Sequence, residues 1–196
     1  MTVREMAAMA LAGLGLAVLS LPAHAAVVVY GTGPSTECYQ AAEFGTDAQT
    51  GIAICTAALQ LSDISPRDSA ATMINRGIIR THAGDQAGAI ADSTHGLTID
   101  PDLAEGYVDR GVAEIMLKDW PAALADINKG IDMNTDKLDF AYYDRGIVEE
   151  STGNIRAAYE DYQKAVQMNP GFDLAAHALT HFKVVRKPAP NSASGT

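Results

Sequence analysis

An all-α solenoid of stacked helix hairpins is predicted by three observations in this 196-residue chain. The tripeptides Asn75-Arg76-Gly77, Asp109-Arg110-Gly111 and Asp144-Arg145-Gly146 are near-copies spaced 34 and 35 residues apart. Twelve residues after each glycine stands an alanine: Ala89, Ala123 and Ala158. From Ser35 onward the apolar residues recur at helical spacing. A period near 34 marks units that cannot bury an apolar face alone and stack on their neighbours to do so.

The N-terminus reads as a leader. Arg4 precedes an uncharged apolar run over 6–21, Pro22 breaks it, and Ala23-His24-Ala25 has the small-x-small pattern of a signal-peptidase site. Residues 1–25 are therefore expected to be a signal peptide cleaved after Ala25, with export to the periplasm. The alternative is an uncleaved anchor, for which the run is short of the ~20 apolar residues a span needs. No cysteine follows the cleavage site to carry a lipid. The mature chain has no stretch long and apolar enough to cross a membrane.

Residues 26–34, with Val27-Val28-Val29-Tyr30 before Gly31-Thr32-Gly33-Pro34, are expected to be a flexible lead. Residues 35–67 read as a degenerate hairpin and linker: helices over 35–44 and 47–61, then Ser65-Pro66 in the linker. Three regular hairpins fill 68–170. Their helices are predicted at 68–82 and 85–99, 101–118 and 120–133, and 136–151 and 154–168. The turns within them carry the Gly, Asp and Asn that suit helix ends. Pro101 and Pro170 fall 24 residues after Gly77 and Gly146, closing one hairpin and opening the next helix. Thr135 holds that place in the middle hairpin, and an extra residue within 134–137 accounts for the 35-residue spacing. A capping helix is expected over 171–187, with Leu174, Ala178 and Phe182 on one face, and a disordered tail over 188–196.

Packing explains the fixed positions. Glycine and alanine let paired helices approach where a larger side chain would overpack. Tyr107, Tyr142, Ile127 and Tyr162 fill the space between hairpins; Met73 and Ser93 at the corresponding places are smaller, so looser packing is expected there. Arg76, Arg110 and Arg145 form a ladder whose guanidinium groups can stack on tyrosine and pair with carboxylates, joining repeats.

The formal net charge of -10 repels phosphate backbones and anionic lipid, so nucleic acid is not an expected partner. The two cysteines, Cys38 and Cys55, flank the turn-like Gly45-Thr46-Asp47. If helices run on either side, the thiols lie at similar heights of a hairpin and a disulfide can form; the alternative is two buried free thiols. His177 and His181 are four apart, as metal pairs are, but no HExxH motif or third ligand accompanies them. No Gly-rich phosphate loop, nucleophile elbow or spaced ligand set occurs. No catalytic residue, cofactor or metal site is assigned, and the chain is not expected to be an enzyme.

These residues resemble the tetratricopeptide repeat family, well over 68–171 and more weakly over 35–61. The third regular repeat matches best, through Tyr142, Gly146, Ala158, Tyr162, Ala165 and Pro170. The N/D-R-G tripeptides and the run Ile52-Ala53-Ile54-Cys55-Thr56-Ala57-Ala58-Leu59 are similar to exported bacterial members. Arginine stands where the family has leucine, and the family's tryptophan is absent from every repeat. The resemblance implies a right-handed superhelix and a protein-interaction scaffold that binds extended or helical peptides in a concave groove lined by the first helix of each pair. The groove positions it implies are Ile74, Ile78, Glu105, Val108, Asp109, Val112, Phe140, Tyr143, Asp144 and Ile147. Members that clamp a terminal carboxylate carry Lys, Arg or Asn at places occupied here by Ile74, Ile78, Asp109, Phe140 and Asp144, so that clamp is absent. An apolar groove edged with carboxylates is expected to take a basic or amphipathic segment. The alternative is that the apolar positions are inter-repeat core and the acids a solvated face. The expected function is an adaptor in the cell envelope; the rivals are a self-associating structural protein and, behind it, a metal carrier or enzyme using His177 and His181.

Overall fold

Four antiparallel helix hairpins and a short terminal helix make up residues 33–183, which the computed structural model describes; no strand occurs among the described residues. The hairpins are α1 (Pro34–Phe44) with α2 (Ala48–Ala58), α3 (Pro66–His82) with α4 (Gln86–Ile99), α5 (Ala104–Leu117) with α6 (Trp120–Asp132), and α7 (Leu138–Ser151) with α8 (Ile155–Met168); α9 (Asp173–Leu179) follows. The expected signal peptide over 1–25, the lead up to residue 32, the last four residues of the expected capping helix and the tail lie outside the described residues.

Local chemistry sets the helix ends. Asp47, Asp85 and Asp119 each accept a hydrogen bond from a backbone N–H in the first turn of α2, α4 and α6, at 2.9, 3.0 and 3.4 Å. The turns of the three regular hairpins need one left-handed residue, supplied by Gly84 (φ 84°), Lys118 (φ 61°) and Gly153 (φ 85°). At Lys118 the β-carbon makes this cost about 1–2 kcal/mol. Several boundaries differ from expectation: α2 ends at Ala58 and not at 61, and α7 begins at Leu138 and not at 136. Ser65-Pro66 opens α3 and is not linker: Ser65 Oγ accepts from Asp68 N at 3.1 Å, and Pro66 needs no N–H partner in the first turn. Pro101 does not open α5; it sits in a turn where Asp102 N donates to Asp100 Oδ1 at 3.1 Å, and the helix begins at Ala104. The extra residue of the middle loop is absorbed by Asn134 in the left-handed conformation (φ 58°).

The repeated glycines lie where second helices press on first helices. A Cβ built on Gly146 would stand 2.6 Å from Tyr162 Cε1, and one on Gly111 2.8 Å from Ile127 Cγ1. The gap is also tight at Gly77, where Ser93 Oγ lies at 3.0 Å and Ala89 O at 3.1 Å, so the expected looseness is not found at this contact. In the first hairpin the staple is covalent. Cys38 and Cys55, both fully buried, form a disulfide across 17 residues of sequence. A loop of that size is worth roughly 3 kcal/mol in the chain-entropy model.

One polar motif recurs in every regular hairpin. The guanidinium of Arg76 forks onto Asp92 (2.8 and 2.7 Å), that of Arg110 onto Asp126 (2.6 and 2.9 Å), and that of Arg145 onto Asp161 (2.8 and 2.7 Å), each pair 16 residues apart. The remaining nitrogen, Nη1, reaches back to the second helix of the preceding hairpin: Thr56 Oγ1 at 3.0 Å, Thr94 Oγ1 at 3.1 Å and Asn128 Oδ1 at 2.8 Å. Arg110 and Arg145 also lie over the rings of Tyr107 and Tyr142, at 5.7 and 5.1 Å. One side chain thus joins three helices from two repeats.

The terminal helix is shorter than the 171–187 expected, and its packing face differs. Leu174 is exposed, whereas Phe172 and Ala175 are buried. Phe172 packs at a tilt against Phe140 and Tyr143, with ring centroids at 4.5 and 5.1 Å, and Phe182 packs on Tyr159 and Tyr162. It covers the apolar end of the last hairpin.

Two changes test this packing. Arg110→Ala strands Asp126 and is expected to lower unfolding free energy by about 2–3 kcal/mol in urea titration, with Asp126→Ala in the same background costing little more. Gly146→Ala is expected to cost about 1–2 kcal/mol despite alanine's better helix propensity, because the buried Tyr162 ring has no room to move; a neutral or stabilising outcome would contradict the close approach.

Candidate functional site

The first helices α1, α3, α5 and α7 pack on one another in succession, while successive second helices make no comparable contact. This difference in spacing curves the stack, with the first helices on its inner side. The ten positions implied for the groove separate there into three kinds.

Ile74, Ile78 and Val108 are buried core. Ile74 lies under Gly106 of the next hairpin, and Val108 under Gly130. Ile147 is half-buried against the α5–α6 core, and Val112 is half-buried. Phe140 and Tyr143 are half-buried and hold Phe172, so they serve the contact with the C-terminal segment. The apolar groove expected from the sequence is thus occupied largely by inter-repeat packing. The reason is geometric: these side chains meet the next first helix, their own second helix or the C-terminal segment before they meet solvent.

Glu105 is buried and already engaged. Its Oε1 accepts from Thr135 Oγ1 at 3.3 Å and from Asp136 N at 3.1 Å, fixing the loop that carries the extra residue.

Asp109 and Asp144 are different. Asp109 is half-buried as a residue, but its Oδ2 is enclosed and has no hydrogen-bond partner. Burial pushes its carboxyl well above the usual range, and the charges of Glu105, Asp144 and Glu43 add to the shift. Asp144 is 8% exposed and accepts no hydrogen bond among the described residues; burial raises its carboxyl to about 7. Asn75, 2% exposed, holds the matching place on α3, and its Oδ1 is likewise without a partner. These three are the residues immediately before the ladder arginines. Asp144 is buried and Asp109 half-buried with one oxygen enclosed, so neither acid is the solvated face that the alternative reading expected.

The ladder's acceptors, Asp92, Asp126 and Asp161, were not singled out by the sequence reading. Their signal was present, since an aspartate stands 16 residues after every ladder arginine. Outside the inner face, Glu114 is buried with Oε2 unpartnered, and burial together with the nearby charge of Asp126 raises its carboxyl to about 7. His177 and His181 meet edge-on with ring centroids 5.0 Å apart, and no group of three possible metal ligands occurs among the described residues.

The raised carboxyls set a pH dependence. Between the unfolded aspartate value of about 3.9 and the folded value near 7, the folded chain holds protons that the unfolded chain has released, so stability falls as pH rises through this window. The melting temperature is expected to climb on going from pH 8 to pH 5.5, each kcal/mol regained being worth roughly 2–4 °C at this length. Asp144→Asn should raise the melting temperature at pH 8 and flatten the climb; an unchanged profile in that variant would show Asp144 to be ordinarily solvated.

No protein-family model matches the sequence, and neither does any curated protein. Among solved structures, the chain is similar to MamA (TM-score 0.60, 25% identity, covering 77% of this chain and 82% of that one). It is also similar to the first TPR of Spaghetti (RPAP3) bound to the HSP90 peptide SRMEEVD (TM-score 0.54, 24% identity, 57% of this chain and 90% of that one). A third is YrrB, a TPR protein with an unusual peptide-binding site (TM-score 0.57, 16% identity, 68% of this chain and 66% of that one). The 34-residue period, the glycine and alanine offsets and these neighbours agree: the chain has the fold of a tetratricopeptide-repeat solenoid.

Proposed function

We propose that this protein is a non-enzymatic interaction scaffold that holds a protein or peptide segment against the inner face of its solenoid, and that it does so in the cell envelope after export. The observation that carries the reading is the row Asn75, Asp109 and Asp144, in which Asn75 Oδ1 and Asp109 Oδ2 are enclosed without partners and the buried Asp144 accepts no hydrogen bond among the described residues. Unsatisfied groups of this kind cost roughly 1–3 kcal/mol each, and a bound segment offsets that cost by supplying partners. Peptide binding by Spaghetti (RPAP3) and YrrB on the same fold supports it. The HSP90 peptide is acidic; the inner face here is acidic too, so a tail of that charge is not what this face selects. The leader-like N-terminus and the Cys38–Cys55 disulfide support an oxidising compartment.

The test uses a photocrosslinking residue at Val112, on the inner face, beside one at Gln163, exposed on α8. In envelope extract a specific adduct is expected from position 112 and not from 163. Equal adducts, or adducts from 163 alone, would move the site off the inner face.

A second reading has its own observation. Phe44, Leu117 and Ile155 are exposed at 77%, 54% and 53%, each beside a turn within a hairpin and hence along one edge of the stack. Such an apolar edge favours self-association. Light scattering across a hundredfold concentration range separates it from the scaffold reading: a constant monomer mass excludes it.

A further inference from the structure

The first helices carry two adjacent arrays of polar side chains, and only one is complete. In the arginine ladder every carboxylate oxygen of Asp92, Asp126 and Asp161 accepts from a guanidinium nitrogen. In the adjacent row, one residue earlier on each first helix, Asn75 Oδ1 and Asp109 Oδ2 are enclosed without partners, and Asp144 has none among the described residues. No arginine or lysine of the described residues is paired with Asp109 or Asp144.

What the row lacks is a donor. Asn75 Oδ1 and the carboxylates of Asp109 and Asp144 are acceptors, and Glu105 adds negative charge beside Asp109. Hydroxyl or amide donors would satisfy the hydrogen bonds but would not stabilise the ionised form that burial disfavours. A cation does both. A bound metal ion fits poorly, since no three possible ligands converge among the described residues and Glu105 is held by Thr135 and Asp136. A guanidinium or ammonium on a flexible stem needs only one or two carboxylates and can reach into an enclosed place. Each repeat also offers one such acceptor, which suits a segment running along the first helices.

We propose that the row Asn75–Asp109–Asp144 is a cation-accepting subsite that takes an arginine or lysine side chain of the bound segment, completing from outside the pairing that the ladder completes from within. This rests on the inner-face reading above and names the chemistry of its partner. Arginine is favoured over lysine, because a planar fork can bridge Asp109 and Asp144 as the ladder arginines fork onto their own aspartates.

The experiment is selection from a random dodecapeptide library displayed on phage, using the purified chain from Ala26 and its Asp109→Asn/Asp144→Asn variant as baits. The substitutions keep shape and remove the buried charge, so the variant is expected to fold with at least equal stability, checked by its melting temperature. The wild-type pool is expected to enrich arginine or lysine at a fixed position at least threefold over the naive library. The variant is expected to lose that enrichment while keeping neighbouring preferences. The best peptide should weaken at least tenfold when its selected arginine is replaced by citrulline. Selection of peptides without a basic preference would overturn the subsite and leave the inner-face reading standing. A basic preference that persists in the variant would place the cation elsewhere. No selected peptide from either bait would overturn both.

Discussion

The arginine fork is the contact on which the rest of this structure depends. Successive hairpins of a solenoid touch only their neighbours, so each junction must be specified locally. Arg76, Arg110 and Arg145 do this with a single side chain: two nitrogens fix the second helix of the same hairpin, and the third fixes the second helix of the preceding one. Because the donors are rigidly coplanar, the fork sets orientation as well as distance. The glycine that follows each arginine lets the second helix come close enough for the fork to close. In the first hairpin, which has no such arginine, the Cys38–Cys55 disulfide ties the two helices instead.

The inner face is a consequence of this arrangement. With the arginine turned toward its second helix, the residue before it turns toward the neighbouring first helices. There the chain places Asn75, Asp109 and Asp144 and gives them no donor. Buried acceptors without donors reduce stability, and a fold selected for stability alone would carry apolar residues at these places. The same helices show that this was possible, since Ile74 and Val108, each next to a member of the row, are packed core. On the proposed reading the missing donors come from a bound segment.

Much of the architecture was legible in the sequence. The fixed offsets of glycine and alanine gave the hairpins, and the cysteine spacing about a turn allowed the disulfide. The missed boundaries at Ser65-Pro66 and Pro101 share a cause: proline both starts helices and ends turns, and only the capping partner decides which. The site was legible as a set of positions and not as a surface. Periodicity shows that Ile74, Val108 and Phe140 share a helix face, but it does not show whether the next element covers that face. Here the next first helix covers Ile74, the second helix of the same hairpin covers Val108, and the C-terminal segment covers Phe140. The arginine partners could have been read from the recurring 16-residue interval; the absence of partners for Asp109 and Asp144 could not, because it depends on which way each side chain turns.

The most direct measurement is the ionisation of the two inner aspartates, followed by carbon NMR of their carboxyl groups in the free chain and with an arginine-bearing peptide bound. Both carboxyls are expected to titrate above the usual aspartate range in the free chain and to become fully ionised at neutral pH when the peptide binds. Ordinary titration in the free chain, or titration that the bound peptide leaves unmoved, would contradict the proposal.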